Sequence, residues 1–317
     1  MTFPVKIFSG RSNPELASKI CQHIGTPLFE AKIKDFANGE INFEIGENVR
    51  GADVFFIQTG ADPVNKNLME SLIAVDAFRR ASASKITIVM PLYAYSRQDK
   101  KDKPRVPITA ELVARLLIEA GIDRILTMDL HAGQIQGYFK KIPADNLYAS
   151  PIIFPFIKEN FDHDLVIVSP DAGGVARARA YGKMLDCDIA IMDKRRVKDN
   201  EVKEMRVIGD VSGKKAVILD DMADTCGTLV KATKKLLETG CTEVSACITH
   251  PIFSQDAIEK IAESEIKQLI VTDTLMLRDE AKACSKIVQL SSAPLFAKAI
   301  MSIHNEESLS NLFDILY

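Results

Sequence analysis

The sequence predicts an α/β protein of two domains, each a mainly parallel β-sheet flanked by helices. Three observations carry this. Short β-branched or apolar runs recur along the 317 residues, and segments with helical spacing lie between many of them, which is the rhythm of βαβ units. The length fits two domains of ordinary size. The composition, 47% hydrophobic and 26% charged, is that of a packed globular chain and excludes disordered, collagen-like and coiled-coil classes.

Taken in order, strands are expected at 5–8, 54–58, 86–90 and 125–128, then at 165–169, 189–192, 216–219, 243–248 and 268–271, because each is a short apolar run of strand length. Helices are expected at 67–82, 109–120, 175–185, 228–239 and 255–262, where apolar residues recur at helical spacing. Thr109 stands as an N-cap before the Leu112/Leu116/Leu117 stripe, and Gly121 and Gly240 each follow the last periodic residue of a helix. The stretch IPADNLYASP, residues 142–151, interrupts this rhythm with two prolines and an Asp-Asn pair, so the boundary is expected there. The expected domains are 1–148 and 149–302, with the tail 303–317 packing back on the first.

Lys plus Arg number 40 against 43 Asp plus Glu, a net charge of −3, so nothing in the overall field favours nucleic acid as a partner. No run approaches the roughly 20 apolar residues of a membrane span. The six cysteines form no CxxC pair or zinc spacing, and the opening MTFPVKIFSGRSNP has no long apolar stretch. A reduced, cytoplasmic protein without a secretory signal is expected.

The most specific segment is AVILDDMADTCGTLVKATKKLLETG, residues 216–240. An apolar strand is expected to end in Asp220 and Asp221, and the loop Asp224-Thr225-Cys226-Gly227-Thr228 then opens a helix. Unpaired N–H groups at a helix N-terminus favour an anion, Thr225 and Thr228 add hydroxyl donors, and Gly227 allows close approach. Two carboxylates repel phosphate but accept hydroxyl groups. Acceptors for hydroxyls beside donors for a monophosphate describe a sugar phosphate. The loop is neither a Walker A sequence nor GxGxxG.

A second segment, ILTMDLHAGQIQGYF, delivers Asp129 and His131 at the carboxyl end of a strand, where open α/β sheets bind ligands. Two apart on an extended chain, they point the same way and could hold a divalent cation; spacing alone equally allows His131 to be a hydrogen-bonded core residue. In PLYAYSRQDKKDKPRVP, Gln98–Arg105 reads as a solvated charged loop, although Arg97 could grip phosphate. FANGE reads as a turn about Asn38-Gly39. In MDKRRVKDNEVKEMRVIGDV, Lys194, Arg195 and Arg196 follow an apolar strand and form a mobile basic loop or a surface hairpin.

These segments carry a resemblance. DDMADTCGT resembles the phosphoribosyl-diphosphate signature of type I phosphoribosyltransferase-like proteins. With FANGE (36–40), RQDKKDK (97–103), MDLHAGQIQGYF (128–139) and SPDAGG (169–174), in that order along nearly the whole chain, it resembles the ribose-phosphate diphosphokinase (PRPP synthetase) family. The resemblance implies two phosphoribosyltransferase-like domains and the reaction of ATP with ribose 5-phosphate to give AMP and 5-phosphoribosyl 1-diphosphate.

It also implies roles. Asp220, Asp221, Asp224, Thr225, Cys226, Gly227 and Thr228 bind ribose 5-phosphate. Phe36, Asn38, Glu40, Arg97, Gln98, Asp99 and His131 bind ATP, with Phe36 stacking on adenine and with Phe36, Asn38 and Glu40 contributed by a neighbouring subunit. His131, Asp171 and Asp129 hold Mg2+. Lys194 and Arg196 lie on a flexible loop and meet the charge that develops on the transferred diphosphate. Asp220 is the candidate acceptor of the anomeric proton. Arg50, Gln136, Ser308 and Ser310 match an allosteric site for phosphate and ADP, and the family implies a homohexamer. Lys140-Lys141 stand where the family commonly has an aspartate after its aromatic pair.

Three rival classes remain on the sequence alone. An inactive regulatory subunit of the same family is opposed by intact Lys194, Arg196, His131, Asp171 and the sugar-phosphate loop. A base phosphoribosyltransferase would share the loop without needing FANGE or RQDKKDK. A nucleic-acid-binding regulator lacks a basic stripe.

Overall fold

The computed structural model describes residues 3–161, 164–195 and 204–312, without the side chains of Lys194, Arg195, Glu204 and Asn311. The chain forms two units. The first comprises Met1–Tyr148, Thr274–Met276 and Ser292–Phe313, and the second chiefly Ala149–Asp273 and Leu277–Ser291.

The first unit contains β1 (Val5–Ser9), α1 (Pro14–Ile24), β2 (Leu28–Phe29), β3 (Ala31–Asp35), β4 (Ile41–Ile45), β5 (Asp53–Ile57), α2 (Val64–Arg80), β6 (Lys85–Val89), α3 (Thr109–Ala120), β7 (Arg124–Met128) and β8 (Ala144–Leu147). Its six-stranded sheet has the order β2-β1-β5-β6-β7-β8, with every pair parallel. β5, DVFFI, is buried at all five positions, which explains why it reads as an unbroken apolar run rather than an alternating one. β3 and β4 form a separate antiparallel hairpin with Asp35 opposite Ile41. Phe43 on β4 packs edge-on against Phe56 and Phe78 of the core, so the hairpin has an apolar root.

The second unit contains α4 (Ser150–Asn160), β9 (Leu165–Ser169), α5 (Val175–Leu185), β10 (Asp188–Arg195), β11 (Glu204–Ile208), β12 (Lys215–Ala223), α6 (Gly227–Glu238), β13 (Glu243–Pro251), α7 (Ala257–Glu263), β14 (Leu269–Thr272), α8 (Asp279–Ala283) and β15 (Ile287–Leu290). The seven-stranded sheet runs β11-β10-β9-β12-β13-β14-β15, parallel except between β10 and β11. The chain moves outward from β9 to β10 and β11, then returns to β12 on the other side of β9. The sheet therefore reverses its winding between β9 and β12, and the crevice beyond the carboxyl ends of those two strands is where such sheets take ligands.

Four expectations change. The stretch 142–151 does not interrupt the strand–helix rhythm: it supplies the edge strand β8 and the start of α4, because Asp145 pairs with Arg124 of β7 and Asn146 caps a neighbouring amide. Thr109 is the first helical residue of α3, not its cap. Ile108 holds the cap position, and the Thr109 hydroxyl donates instead to Gln98 Oε1 at 2.5 Å. Asp220 and Asp221 do not end their strand. β12 runs on to Ala223 because β13 continues beside it, pairing Asp220 with Ile248 and Ala223 with Pro251. Finally, the segment that returns to the first unit starts at Ser292 rather than 303. It contains α9 (Ala293–His304), which packs on α1 and buries Leu295, Phe296, Ala299 and Ile300.

Candidate functional site

In the second unit the two loops at the winding reversal carry the predicted residues. After β12, Cys226 takes a left-handed backbone conformation (φ 57°) and turns the chain into α6. No side chain caps this helix, so the first-turn N–H groups of Gly227, Thr228 and Leu229 have no partner within the helix and form an anion-binding end. Thr225 and Thr228 are exposed beside it. The Cys226 side chain is not at the surface: it is 4% exposed and belongs to the core of the unit, and burial pushes its thiol up to about 12. Only the backbone of Cys226 is left to the loop.

Asp220 and Asp221 are adjacent near the carboxyl end of β12, and their carboxyls lie close enough to interact directly. Asp221 is buried, and its amide donates to Asp220 Oδ1 at 2.9 Å. Burial, then the neighbouring Asp221 charge, raises the Asp220 carboxyl to about 7, against a smaller opposing pull from Arg177 on α5. A carboxyl poised near neutrality can both accept hydroxyl hydrogen bonds and take up a proton.

After β9, Asp171 is exposed. Its Oδ1 accepts the amides of Gly173 (2.9 Å) and Gly174 (3.2 Å), which fixes the side chain while Oδ2 remains for another partner. Of the two basic residues predicted to be catalytic, Lys194 lies at the end of β10, its backbone opposite Met205 but its side chain undescribed, and Arg196 lies outside the described residues.

The first unit carries the other set. The backbone between Asp129 and His131 is not regular strand. Asp129 is left-handed (φ 40°) and buried, whereas His131 is exposed, so the alternation expected of an extended chain does not apply. Asp129 donates its amide to the Leu147 carbonyl at 2.8 Å, and Leu130 donates to Asn146 Oδ1 at 3.0 Å, so β8 sets this bend. Arg97 and Gln98 are exposed along a cleft of about 260 Å³ that Asp99, Lys100, Asp102, Val106 and Pro107 complete. Asp99 is only 6% exposed, against the reading of a solvated loop. Gln134 Nε2 donates to its Oδ2 at 2.7 Å, and the Tyr138 hydroxyl donates to its carbonyl.

Phe36, Asn38 and Glu40 form the tip of the β3–β4 hairpin. Phe36 and Glu40 bond across its base at 2.8 Å, Gly39 (φ 89°) donates to the Phe36 carbonyl, and Asn38 Oδ1 receives the Glu40 amide. The Phe36 ring is 55% exposed, unusual for an aromatic residue and fitting for a stacking surface. Arg50, Gln136, Ser308 and Ser310 are all exposed. Arg50 donates to Ser82 Oγ at 3.2 Å, Gln136 to the Gly133 carbonyl, and Ser308 to Ser310 Oγ at 3.0 Å.

Comparison with known proteins bears on what this arrangement belongs to. The model for the N-terminal domain of ribose phosphate pyrophosphokinase matches residues 5–121, and that for a phosphoribosyl synthetase-associated domain matches 196–314. The ribose-phosphate pyrophosphokinase of Caldanaerobacter subterraneus is 52% identical over 313 residues, covering 98% of both chains. The chain belongs to the ribose-phosphate pyrophosphokinase family. The protein of that name from Chlorobaculum tepidum is 51% identical, covering 99% of this chain and 96% of its own. The crystal structure of phosphoribosylpyrophosphate synthetase from Mycobacterium smegmatis superposes with a TM-score of 0.91 at 40% identity, covering 96% of this chain and 99% of the other. These are names of an enzyme, and none of these relatives is named as an inactive regulatory subunit.

Within this ribose-phosphate pyrophosphokinase fold, three contributors went unread in the sequence. Gln134, which anchors Asp99, stands inside the recognised segment 128–139 and could have been singled out there. Asn146 was hidden in a stretch that reads as a break in the strand–helix rhythm. Arg177 was one basic residue among several on α5.

Proposed function

We propose that this protein transfers the β,γ-diphosphate of ATP to the anomeric hydroxyl of ribose 5-phosphate, releasing AMP and 5-phosphoribosyl 1-diphosphate for nucleotide biosynthesis. The observation that carries this is the pairing at one winding reversal of an uncapped helix N-terminus with the near-neutral carboxyl of Asp220. Thr225–Thr228 hold the 5-phosphate. Asp220 and Asp221 accept the ribose hydroxyls, and Asp220 takes the anomeric proton as the oxygen attacks the β-phosphorus. Arg97, Gln98 and the Phe36–Glu40 hairpin tip hold ATP, and Asp99 stiffens their loop. Such transfers need alignment and neutralised charge more than covalent chemistry. Lys194 and Arg196 supply the neutralising charge.

Magnesium takes few protein ligands and completes its shell with phosphates and water. Asp171 in the second unit, exposed with one oxygen held by backbone amides, has the donor chemistry for it, and so does exposed His131 in the first. Buried Asp129 suits a role in shaping the bend instead. The ion when bound screens the polyphosphate charge.

No helix among the described residues is long and apolar enough to cross a membrane. A cytoplasmic homohexamer, activated by phosphate and inhibited by ADP through Arg50, Gln136, Ser308 and Ser310, completes the reading. The test is to incubate pure protein with ATP, ribose 5-phosphate and Mg2+, with and without phosphate. AMP and 5-phosphoribosyl 1-diphosphate are expected in equal amounts. Absence of AMP under all conditions overturns the assignment, and ADP inhibition that is purely competitive with ATP removes the allosteric part.

A further inference from the structure

The first unit also reverses its winding, between β1 and β5, but the crevice there is shut. Gln58, just beyond β5, places its Oε1 against the amide (3.0 Å) and hydroxyl (2.6 Å) of Ser12, just beyond β1. A Cβ on Gly10 would lie 2.3 Å from that same oxygen, so glycine is what lets Gln58 close the gap. Gln58 Nε2 donates to Glu70 Oε1 at 2.8 Å.

Glu70, on α2, is fully buried. Its carboxylate accepts the Arg11 amide at 2.9 Å and Arg11 Nε at 2.6 Å, so its buried charge is met by a cation and by further hydrogen bonds. Held there, Arg11 turns Nη1 and Nη2 outward. Both meet Asp35, at 3.1 and 3.0 Å, in a two-pronged fork, and Lys66 Nζ adds a third contact at 2.6 Å. Asp35 is the last residue of β3, next to Phe36.

We propose that Arg11 is a positioning residue for the nucleotide: braced by Glu70 and aided by Lys66, it grips Asp35 and so fixes the angle at which the hairpin tip presents Phe36. This rests on the reading that the tip meets ATP. A crevice that would otherwise admit a ligand is instead packed into a bracket for a neighbouring hairpin.

Steady-state kinetics on the full chain test it through Asp35→Asn, Phe36→Ala and the pair combined. Asp35→Asn is expected to raise the ATP KM by roughly three- to tenfold, the scale of losing an exposed charge-assisted fork, and to leave the ribose 5-phosphate KM unchanged. If Asp35 acts through Phe36, it changes the ATP KM less than twofold once Phe36→Ala is present. Arg11→Lys keeps the charge but loses the fork, and is expected to resemble Asp35→Asn.

An independent readout uses the absence of tryptophan from the chain. Phe36→Trp introduces one reporter at the tip, whose fluorescence anisotropy is expected to fall when Asp35→Asn is added. An ATP KM unmoved by Phe36→Ala removes the nucleotide reading and this proposal with it. A raised value there, with Asp35→Asn either silent or fully additive, overturns the bracket alone.

Discussion

Asp220→Asn separates what the fold prefers from what the reaction needs. The carboxyl titrates near 7 in the folded chain instead of 3.8, mainly because it is buried and secondarily because Asp221 repels a second charge. A carboxylic acid whose folded value is raised binds its proton more tightly folded than unfolded. Its ionisation therefore costs stability as pH rises from about 4 to about 7, and the full cost persists above. At 1.36 kcal/mol for each pH unit between the two values, the ceiling is ~4 kcal/mol. Asparagine keeps an oxygen for the Asp221 amide but still buries a polar amide, so about half of that, ~2 kcal/mol, is the expected gain at pH 8. For a unit of this size that is roughly 4–8 °C in the transition that melts the second unit. Thermal unfolding of ligand-free parent and variant between pH 4 and 8 is the assay. The curves are expected to coincide near pH 4, diverge up to pH 7 and stay apart beyond. Turnover falls in the same variant, by roughly 100-fold if Asp220 takes the anomeric proton. A pH-independent offset, or a variant less stable than the parent at pH 8, refutes the reasoning.

Lys194→Ala is expected to lower kcat by roughly 100-fold or more while moving the ribose 5-phosphate KM little, the pattern of a charge used mainly at the transition state; equal activity of variant and parent rejects the role. Asp221→Asn is expected to weaken ribose 5-phosphate binding and spare ATP, which calorimetry with each ligand checks; unchanged sugar affinity contradicts the assignment. Cys226 is expected to resist alkylation in the native protein at pH 8, since its thiol is buried and titrates near 12. Cys226→Ala should cost ~1 kcal/mol of stability and leave the ribose 5-phosphate KM within twofold; rapid labelling, or a large change in that KM, shows the side chain at the ligand.

The strands beneath both candidate sites were legible because buried parallel strands such as LVIVS and DVFFI read as unbroken apolar runs. The sugar-phosphate loop was legible because acid pair, threonines and glycine each have a distinct chemical use. Other parts hid behind local polarity or tertiary context. β8, ADNL, is half polar because its Asp145 and Asn146 serve neighbouring β7 and the bend after it. α4 begins with Ser-Pro and carries Pro155, so it resembles a break. The cap of α1 was present as Asn13-Pro14, with Asn13 Oδ1 receiving the Leu16 amide, yet no helix was read there. FANGE gave only a turn, since nothing in five residues tells where Phe36 points. That the chain leaves the extended conformation at Asp129 depends on contacts with β8, distant in sequence.

The return of α9 to α1 makes the second unit an insertion within the first. During synthesis on the ribosome α1 emerges early, but the helix that packs on it is encoded beyond residue 292. At typical elongation rates the interval is roughly 14–54 s. For that time α1 lacks its partner helix, which makes it the natural landing place for a nascent-chain chaperone.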